Sequence, residues 1–140
     1  MRPGESLIAA LDLAPHPEGG WFRRTWVAGS EDGARPAGSA IYYLLLEGEI
    51  SASHRVDATE LWHFYDGDPL ELCREWPDGR RDVQIIGPDV AAGHSPQVAV
   101  DPGVWQWARP LGRYTLVGAT VTPAFTFEGF ELRQDAAGPA

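Results

Sequence analysis

An all-β jelly roll, a double-stranded β-helix preceded by one short N-terminal helix, is the fold class this sequence predicts. Three observations carry that reading. Six Trp, five Phe and four Tyr are spread among 16 Gly and 12 Pro, a composition suited to short strands joined by sharp turns. Apolar residues recur in runs of strand length, several of them strictly alternating with polar ones. No helical pattern separates successive runs, as a parallel βαβ fold would require. With no repeat of fixed period and no linker, the 140 residues read as one domain over residues 1–140, its core at about 7–132 and a disordered tail after it.

Taken in order, Glu5 to Leu13 reads as a short helix with Leu7, Ile8 and Leu11 on one face, stopped by Pro15 and Pro17. The segment Pro15 to Trp26, PHPEGGWFRRTW, sets His16 and Glu18 between prolines and the pair Gly19-Gly20, where the backbone takes conformations other residues resist. Both polar residues are read there as turn hydrogen-bonders rather than pocket residues. WFRRTW follows as a strand, and a polar loop runs from Ala28 to Gly38. Ser39 to Glu49, SAIYYLLLEGE, has the length and β-propensity of a buried strand. PLELCREWP alternates cleanly, Asp78-Gly79 signals a hairpin, and DVQIIG returns beside it. After a loop from Pro88 to Ser95 come PQVAV, a turn at Asp101-Pro102-Gly103, VWQWARP, and the strand YTLVGATVTP, with FTFEGFEL closing the fold.

Charge and composition exclude several functions. A net charge of -9 with no basic stripe repels a polyanion, so nucleic acid is not an expected partner. Cys73 is the only cysteine, which rules out an intrachain disulfide and a thiolate-only metal site; inside LELCREW it reads as a small buried hydrophobe. No apolar stretch approaches membrane-spanning length and no basic-then-apolar segment opens the chain. No membrane association and a cytoplasmic location are therefore expected. Five aromatic residues, Trp21, Phe22, Trp26, Trp105 and Trp107, exceed what one barrel readily hides, and a homodimer is expected to cover them.

The chemistry concentrates in Gly48 to Gly67, GEISASHRVDATELWHFYDG. It reads strand, turn at Asp57-Ala58-Thr59, strand. Alternation puts His54 and Val56 on one face, and Glu60, Trp62 and Phe64 on one face of the next strand. Leu61, His63 and Tyr65 share the other face, and Arg55 also points away from His54. A hairpin of this kind brings an imidazole and a carboxylate together among aromatic rings, a proton-transfer pair with environment-sensitive pKa values.

That spacing, Gly48-x5-His54-x5-Glu60-x6-Gly67, resembles the first motif of the cupin superfamily, G-x5-H-x-H-x3-E-x6-G, except that Val56 stands where cupins carry a second histidine. Across roughly Leu7 to Leu132 the order of blocks is similar to the small Cupin_5 family, with PHPEGG and ELWHFYDGDPLEL the most specific parts. The resemblance implies a cupin barrel, usually paired into a dimer, with a pocket to be compared with those of sugar-nucleotide epimerases and metal-dependent oxygenases. In the second cupin motif Gly103 matches, while Asp101 takes the proline slot, Gln106 the histidine slot and Pro110 the asparagine slot. Two of four usual metal ligands remain, His54 and Glu60, so no bound cofactor is expected beyond a weak divalent metal at that pair.

Three functions follow as expectations. The first is a metal-independent acid-base enzyme of the epimerase, isomerase or cyclase kind acting on a small organic molecule. His54 and Glu60 are its catalytic pair, and Gln106 orients the substrate between walls of Tyr43, Trp62 and Phe64. Tyr114, Tyr65 and His63 are the open candidates for a second acid-base group. The second is a metal-dependent oxygenase or isomerase, and the third a non-catalytic module that holds a small ligand in the same pocket.

Overall fold

Two antiparallel sheets face each other in the computed structural model, which describes residues 1–133. The chain opens with α1 (Ser6–Ala10), β1 (Ala14–Pro15), β2 (Trp21–Val27) and β3 (Ser39–Leu46). β4 (Ser51–Val56), β5 (Thr59–Gly67), β6 (Leu70–Glu75) and β7 (Arg81–Ile86) follow. After a 3₁₀ turn at Val90–Ala92 come β8 (Gln97–Val100), β9 (Trp105–Pro110), β10 (Tyr114–Thr122) and β11 (Phe130–Leu132). One sheet has the order β1-β2-β3-β10-β5-β8 and the other β11-β4-β9-β6-β7. The predicted jelly roll with one short N-terminal helix is the fold observed.

Alternation along each strand decides what is buried where. In β3, Ile41, Tyr43 and Leu45 face the space between the sheets, where they pack with Trp62, Leu72 and Val117. Tyr42, Leu44 and Leu46 face outwards and are covered by Leu7, Ile8 and Leu11 of the helical segment. The helix is thus held by its apolar face and not by its length, since a 5-residue helix is too short to stand alone. β5 obeys the predicted split: Glu60 and Trp62 are buried and Phe64 packs on the same core, whereas His63 is half-buried and Tyr65 exposed.

β10 leaves its sheet at Thr122, and the chain returns through Pro123 to Gly129 before β11 pairs with β4, Phe130 against Val56 and Leu132 against His54. Ser39 Oγ accepts from the Phe125 N–H at 3.0 Å, and the Arg35 and Arg24 guanidiniums donate to the Ala124 and Phe125 carbonyls, each at 2.8 Å. This return places Phe125, Phe127 and Phe130 in mutual edge contact, with ring centroids 5.0–6.1 Å apart. Arg133 is held as well, through its N–H to the Ser53 carbonyl and its guanidinium to Glu75. The expected disordered tail otherwise lies outside the described residues.

Of the five aromatics expected to lie uncovered, only Trp26 is substantially exposed, at 52%. Phe22 packs on the core, Trp107 is buried, Trp105 lies under the Arg55 and Arg133 guanidiniums, and Trp21 donates to Glu49. Strand alternation alone does not reveal an arginine long enough to roof a neighbouring ring.

Candidate functional site

A group of polar side chains sits between the sheets. β4 and β9 pair His54 directly with Gln106, β5 contributes Glu60 and Trp62, and β3 contributes Tyr43. All five are buried. Trp62 Nε1 donates to Gln106 Oε1 at 2.8 Å, and Gln106 Nε2 donates to Glu60 Oε1 at 2.9 Å. An indole N–H can only donate, so the amide oxygen must face Trp62 and the NH₂ must face Glu60. Gln106 is therefore occupied by protein on both sides. Sequence reasoning gave it the task of orienting substrate; the geometry makes it a brace for Glu60.

The loop between β1 and β2 supplies what the sequence reading missed. Glu18 is buried, and its Oε1 lies 3.5 Å from both His54 Nε2 and His16 Nδ1. Ser51 Oγ donates to Glu18 Oε2 in a short hydrogen bond, and the Tyr43 hydroxyl donates to the Gly19 carbonyl beside it. His16 and Glu18 turn their side chains inward beside His54, where both are shielded from solvent. Their turn does exist, with the Glu18 N–H donating to His16 Nδ1 at 3.0 Å, but it is tucked inward. The glycine pair permits this. Gly19 has φ +110, and a Cβ there would stand 2.1 Å from the Ile50 carbonyl oxygen, so the chain passes only because the side chain is absent. Two titratable residues flanked by prolines and a glycine pair were the available signal.

Tautomers follow from partners. His54 Nδ1 lies 2.7 Å from the Ala52 carbonyl, which can only accept, so Nδ1 carries the proton and the Nε2 lone pair faces Glu18. His16 Nδ1 accepts a backbone N–H, so its proton is on Nε2. Burial holds both rings below their ordinary values, His16 at about 4 with the His54 charge adding to the effect. For His54 the Glu60 carboxylate works in the other direction. Burial pushes the Glu18 and Glu60 carboxyls up to about 7 each, against the lowering hydrogen bonds from Ser51 and Gln106. Burial and the neighbouring Glu18 charge raise the Tyr43 hydroxyl well above its usual range. The result is a neutral imidazole beside two carboxyls poised to gain or lose a proton near neutrality.

Phe130 packs against the His54 ring with centroids 5.5 Å apart, and His16 meets Phe22 edge-on at 4.5 Å, so aromatic rings flank the group. The remaining candidates lie elsewhere. His63 points to the outer face, with Nε2 3.0 Å from Thr120 Oγ1 and Nδ1 3.3 Å from Gln97 Nε2, stacked near Tyr65. Tyr114 donates to Asp66 at the exposed far end of β5, among the residues packed under α1. Neither His63, Tyr114 nor Tyr65 reaches His54, because His63 and Tyr65 face outwards from β5 and Tyr114 begins β10 on its outer side. Phe64 lines the core below Trp62 and meets none of the titratable groups by hydrogen bond.

The cupin metal positions do not fit a metal centre. Val56 has no donor atom and the Gln106 oxygen is engaged by Trp62, leaving His54 Nε2 and Glu60. Among the described residues no group of three or more His, Cys, Asp or Glu is arranged to hold a metal ion.

Two sheets closed around such a group define a cupin-type barrel. The chain belongs to the Cupin_5 family of the cupin superfamily (DUF985), whose model matches residues 5–133. A crystallised protein from Shewanella oneidensis is 36% identical, with 95% of this chain and 85% of that one covered at a TM-score of 0.89. A hypothetical protein from Leishmania major is 28% identical over 93% of this chain and 86% of that one, TM-score 0.85. Oxalate decarboxylase from Lactobacillus farciminis, in its formate complex, shares the fold at 14% identity, with 88% of this chain and 34% of that one covered, TM-score 0.66. No functionally curated protein matches the sequence. Among the described residues no helix is long and apolar enough to cross a membrane.

Proposed function

We propose that the barrel binds a small organic molecule and moves a proton on it without a metal, as an epimerase, isomerase or cyclase does. One observation carries the reading: the neutral His54 Nε2 faces Glu18 at 3.5 Å, while burial pushes both Glu18 and Glu60 up to about 7. His54 Nε2 is the base and takes a proton from the substrate. A protonated carboxyl of Glu18 or Glu60 returns one at the second position, and the imidazolium left behind is offset by the carboxylate formed. Gln106 and Ser51 are positioning residues for Glu60 and Glu18. Tyr43 and Trp62 are walls.

The test is a turnover screen of molecules captured by the purified protein, followed by solvent deuterium incorporation. His54→Ala is expected to remove incorporation while chelators leave it unchanged. Capture without exchange in the wild type identifies a binding module and ends the enzyme reading; exchange lost on chelation replaces it with metal chemistry. The same proposal includes a homodimer, supported by the exposed Trp26, Val27 and Tyr65, and a cytoplasmic location, supported by the single buried thiol at Cys73. A monomeric mass by light scattering at micromolar concentration counts against the dimer.

A further inference from the structure

The barrel mouth carries a feature that the acid-base group does not use. Phe22, Arg24 and Ile41 on β2 and β3, with Phe125, Thr126 and Phe127 of the returning chain, line a groove of about 410 Å³. That lies within the roughly 300–1,000 Å³ of small-molecule sites. Four of its six lining residues are apolar, and Phe127 remains 58% exposed although its ring faces other apolar rings. The pairing of Arg24 with Ile41 puts its side chain on the barrel side of the strand, in contrast to Arg23, which lies over Tyr42 outside. Arg24 Nη2 donates to the Phe125 carbonyl at 2.8 Å, which fixes the guanidinium at the groove's edge. Among the described residues no carboxylate lies within ion-pair distance of it, in a chain whose net charge is -9. A fixed cation beside aromatic walls, in a lining with no acid, is complementary to a molecule with an apolar body and one anionic group. The groove also adjoins the acid-base group, since Phe22 contacts His16, and Phe125 contacts the Phe130 ring that packs against His54.

We propose that this groove receives an apolar carboxylate, its body against Phe22, Ile41, Phe125 and Phe127 and its carboxylate on Arg24, with its other end directed to His16, Glu18 and His54. This rests on the acid-base reading and adds the substrate class and a specificity residue to it. A carboxylate is favoured over a phosphate because one guanidinium with one N–H already committed matches a single negative charge, and a second would face the acidic surface uncompensated.

The experiment titrates the full chain with phenylacetate, phenylacetamide and phenyl phosphate, followed by amide chemical shifts. Phenylacetate is expected to bind about tenfold more tightly than the neutral amide, as one charge-assisted pair allows, with shifts at Phe22, Phe125 and Phe127. Arg24→Gln should bring that ratio to about one, and Phe127→Ala should weaken both ligands several-fold without altering it. Equal affinities in the wild type, a ratio preserved in Arg24→Gln, or tighter binding of phenyl phosphate overturns the proposal. So does a change of solution mass in Phe127→Ala with no shift by any ligand, which would give the groove to a second copy of the chain. Carboxyl titration of Glu18 and Glu60 in the same samples separates the two readings. Ordinary acid titration with an intact Arg24 effect defeats only the enzyme; titration near 7 without discrimination defeats only the carboxylate.

Discussion

The buried group around His54 and the strands of the β11-β4-β9-β6-β7 sheet treat carboxyl groups in opposite ways. Along that sheet each is matched to an arginine: Asp82 to Arg74, Glu71 to Arg109, Glu75 to Arg81 and Arg133, Glu131 to Arg55. The guanidiniums hold Asp82 and Glu75 below the usual carboxylate range. Inside, Glu18 and Glu60 have no arginine and rise to about 7. Arginines are available to this chain and several roof tryptophans, yet among the described residues none lies within ion-pair distance of Glu18 or Glu60. Structural carboxyls are neutralised by cations; those kept near neutrality by burial alone cost stability and suit proton transfer.

The largest effect expected is His54→Ala. Removing a base in the proton-transfer step should lower the rate of solvent exchange into a bound substrate by roughly 10²–10⁴-fold. Exchange in the wild type should also fall as pH rises past about 7, because the carboxyl that returns the proton is then ionised. A rate still rising at pH 9 would show that neither glutamic acid is the donor.

Glu60→Gln comes next and is read as stability. A carboxyl raised from 4.5 to about 7 contributes stability that is fully present below the unfolded value and is lost as pH rises through about 7. The glutamine keeps an acceptor for Gln106 and cannot ionise. Relative to wild type it should gain on the order of 3 kcal/mol between pH 4.5 and pH 8, measured by urea unfolding. Glu18 acts with the same sign as Glu60, whereas His16 runs the other way, losing its contribution as pH falls from 6.5 towards about 4, so the wild type should lose stability over pH 4.5–6.5 less steeply than the two carboxyls alone would give. A constant difference between the two proteins at every pH would mean Glu60 titrates normally.

Gly19→Ala should cost roughly 1–3 kcal/mol, since φ +110 is strained for any side chain and the new Cβ meets the Ile50 carbonyl. It should also disturb Glu18, which the loop carries. If Gly19→Ala is as stable as wild type with Glu18 still titrating near 7, the loop does not hold the carboxyl in place.

How much of this was legible in the sequence differs between the two regions. Strand alternation placed Glu60, Trp62 and Phe64 on the barrel side of β5 and His63 and Tyr65 outside it, because a period of two leaves no other arrangement. The same rule could not rank His63 and Tyr114 against residues of other strands, and both lie away from His54. Glu18 was hidden for a different reason. It belongs to a loop, where no periodicity reports direction, and its burial depends on Gly19 passing Ile50, a contact over 31 residues of sequence. Gln106 was placed correctly beside His54, yet its partners Trp62 and Glu60 lie in the other sheet, and cross-sheet hydrogen bonds leave no local signature. The roofing of Trp105 by Arg55 and Arg133 escaped notice on the same grounds.

The smallest expected effect tests the paired half of the comparison. Arg74 grips Asp82 with Nη2 at 2.6 Å and Nε at 3.0 Å, and Arg74 Nη1 reaches the Ala99 carbonyl of the facing sheet at 2.7 Å. The pair joins directly opposed positions of β6 and β7, so its geometry needs little extra ordering. Partly exposed pairs of this kind contribute up to about 1 kcal/mol, screened by salt. A double-mutant cycle of Arg74→Ala and Asp82→Ala should therefore give a coupling below about 1 kcal/mol at low salt that shrinks at higher salt. Its pH dependence should have the sign opposite to that of Glu60. A depressed carboxyl contributes stability above the ordinary aspartate pKa, and that contribution is lost as pH falls through the lowered value. Coupling that grows as pH falls would put Asp82 in the same class as the buried glutamates, and the contrast between paired and unpaired carboxyls would no longer set Glu18 and Glu60 apart.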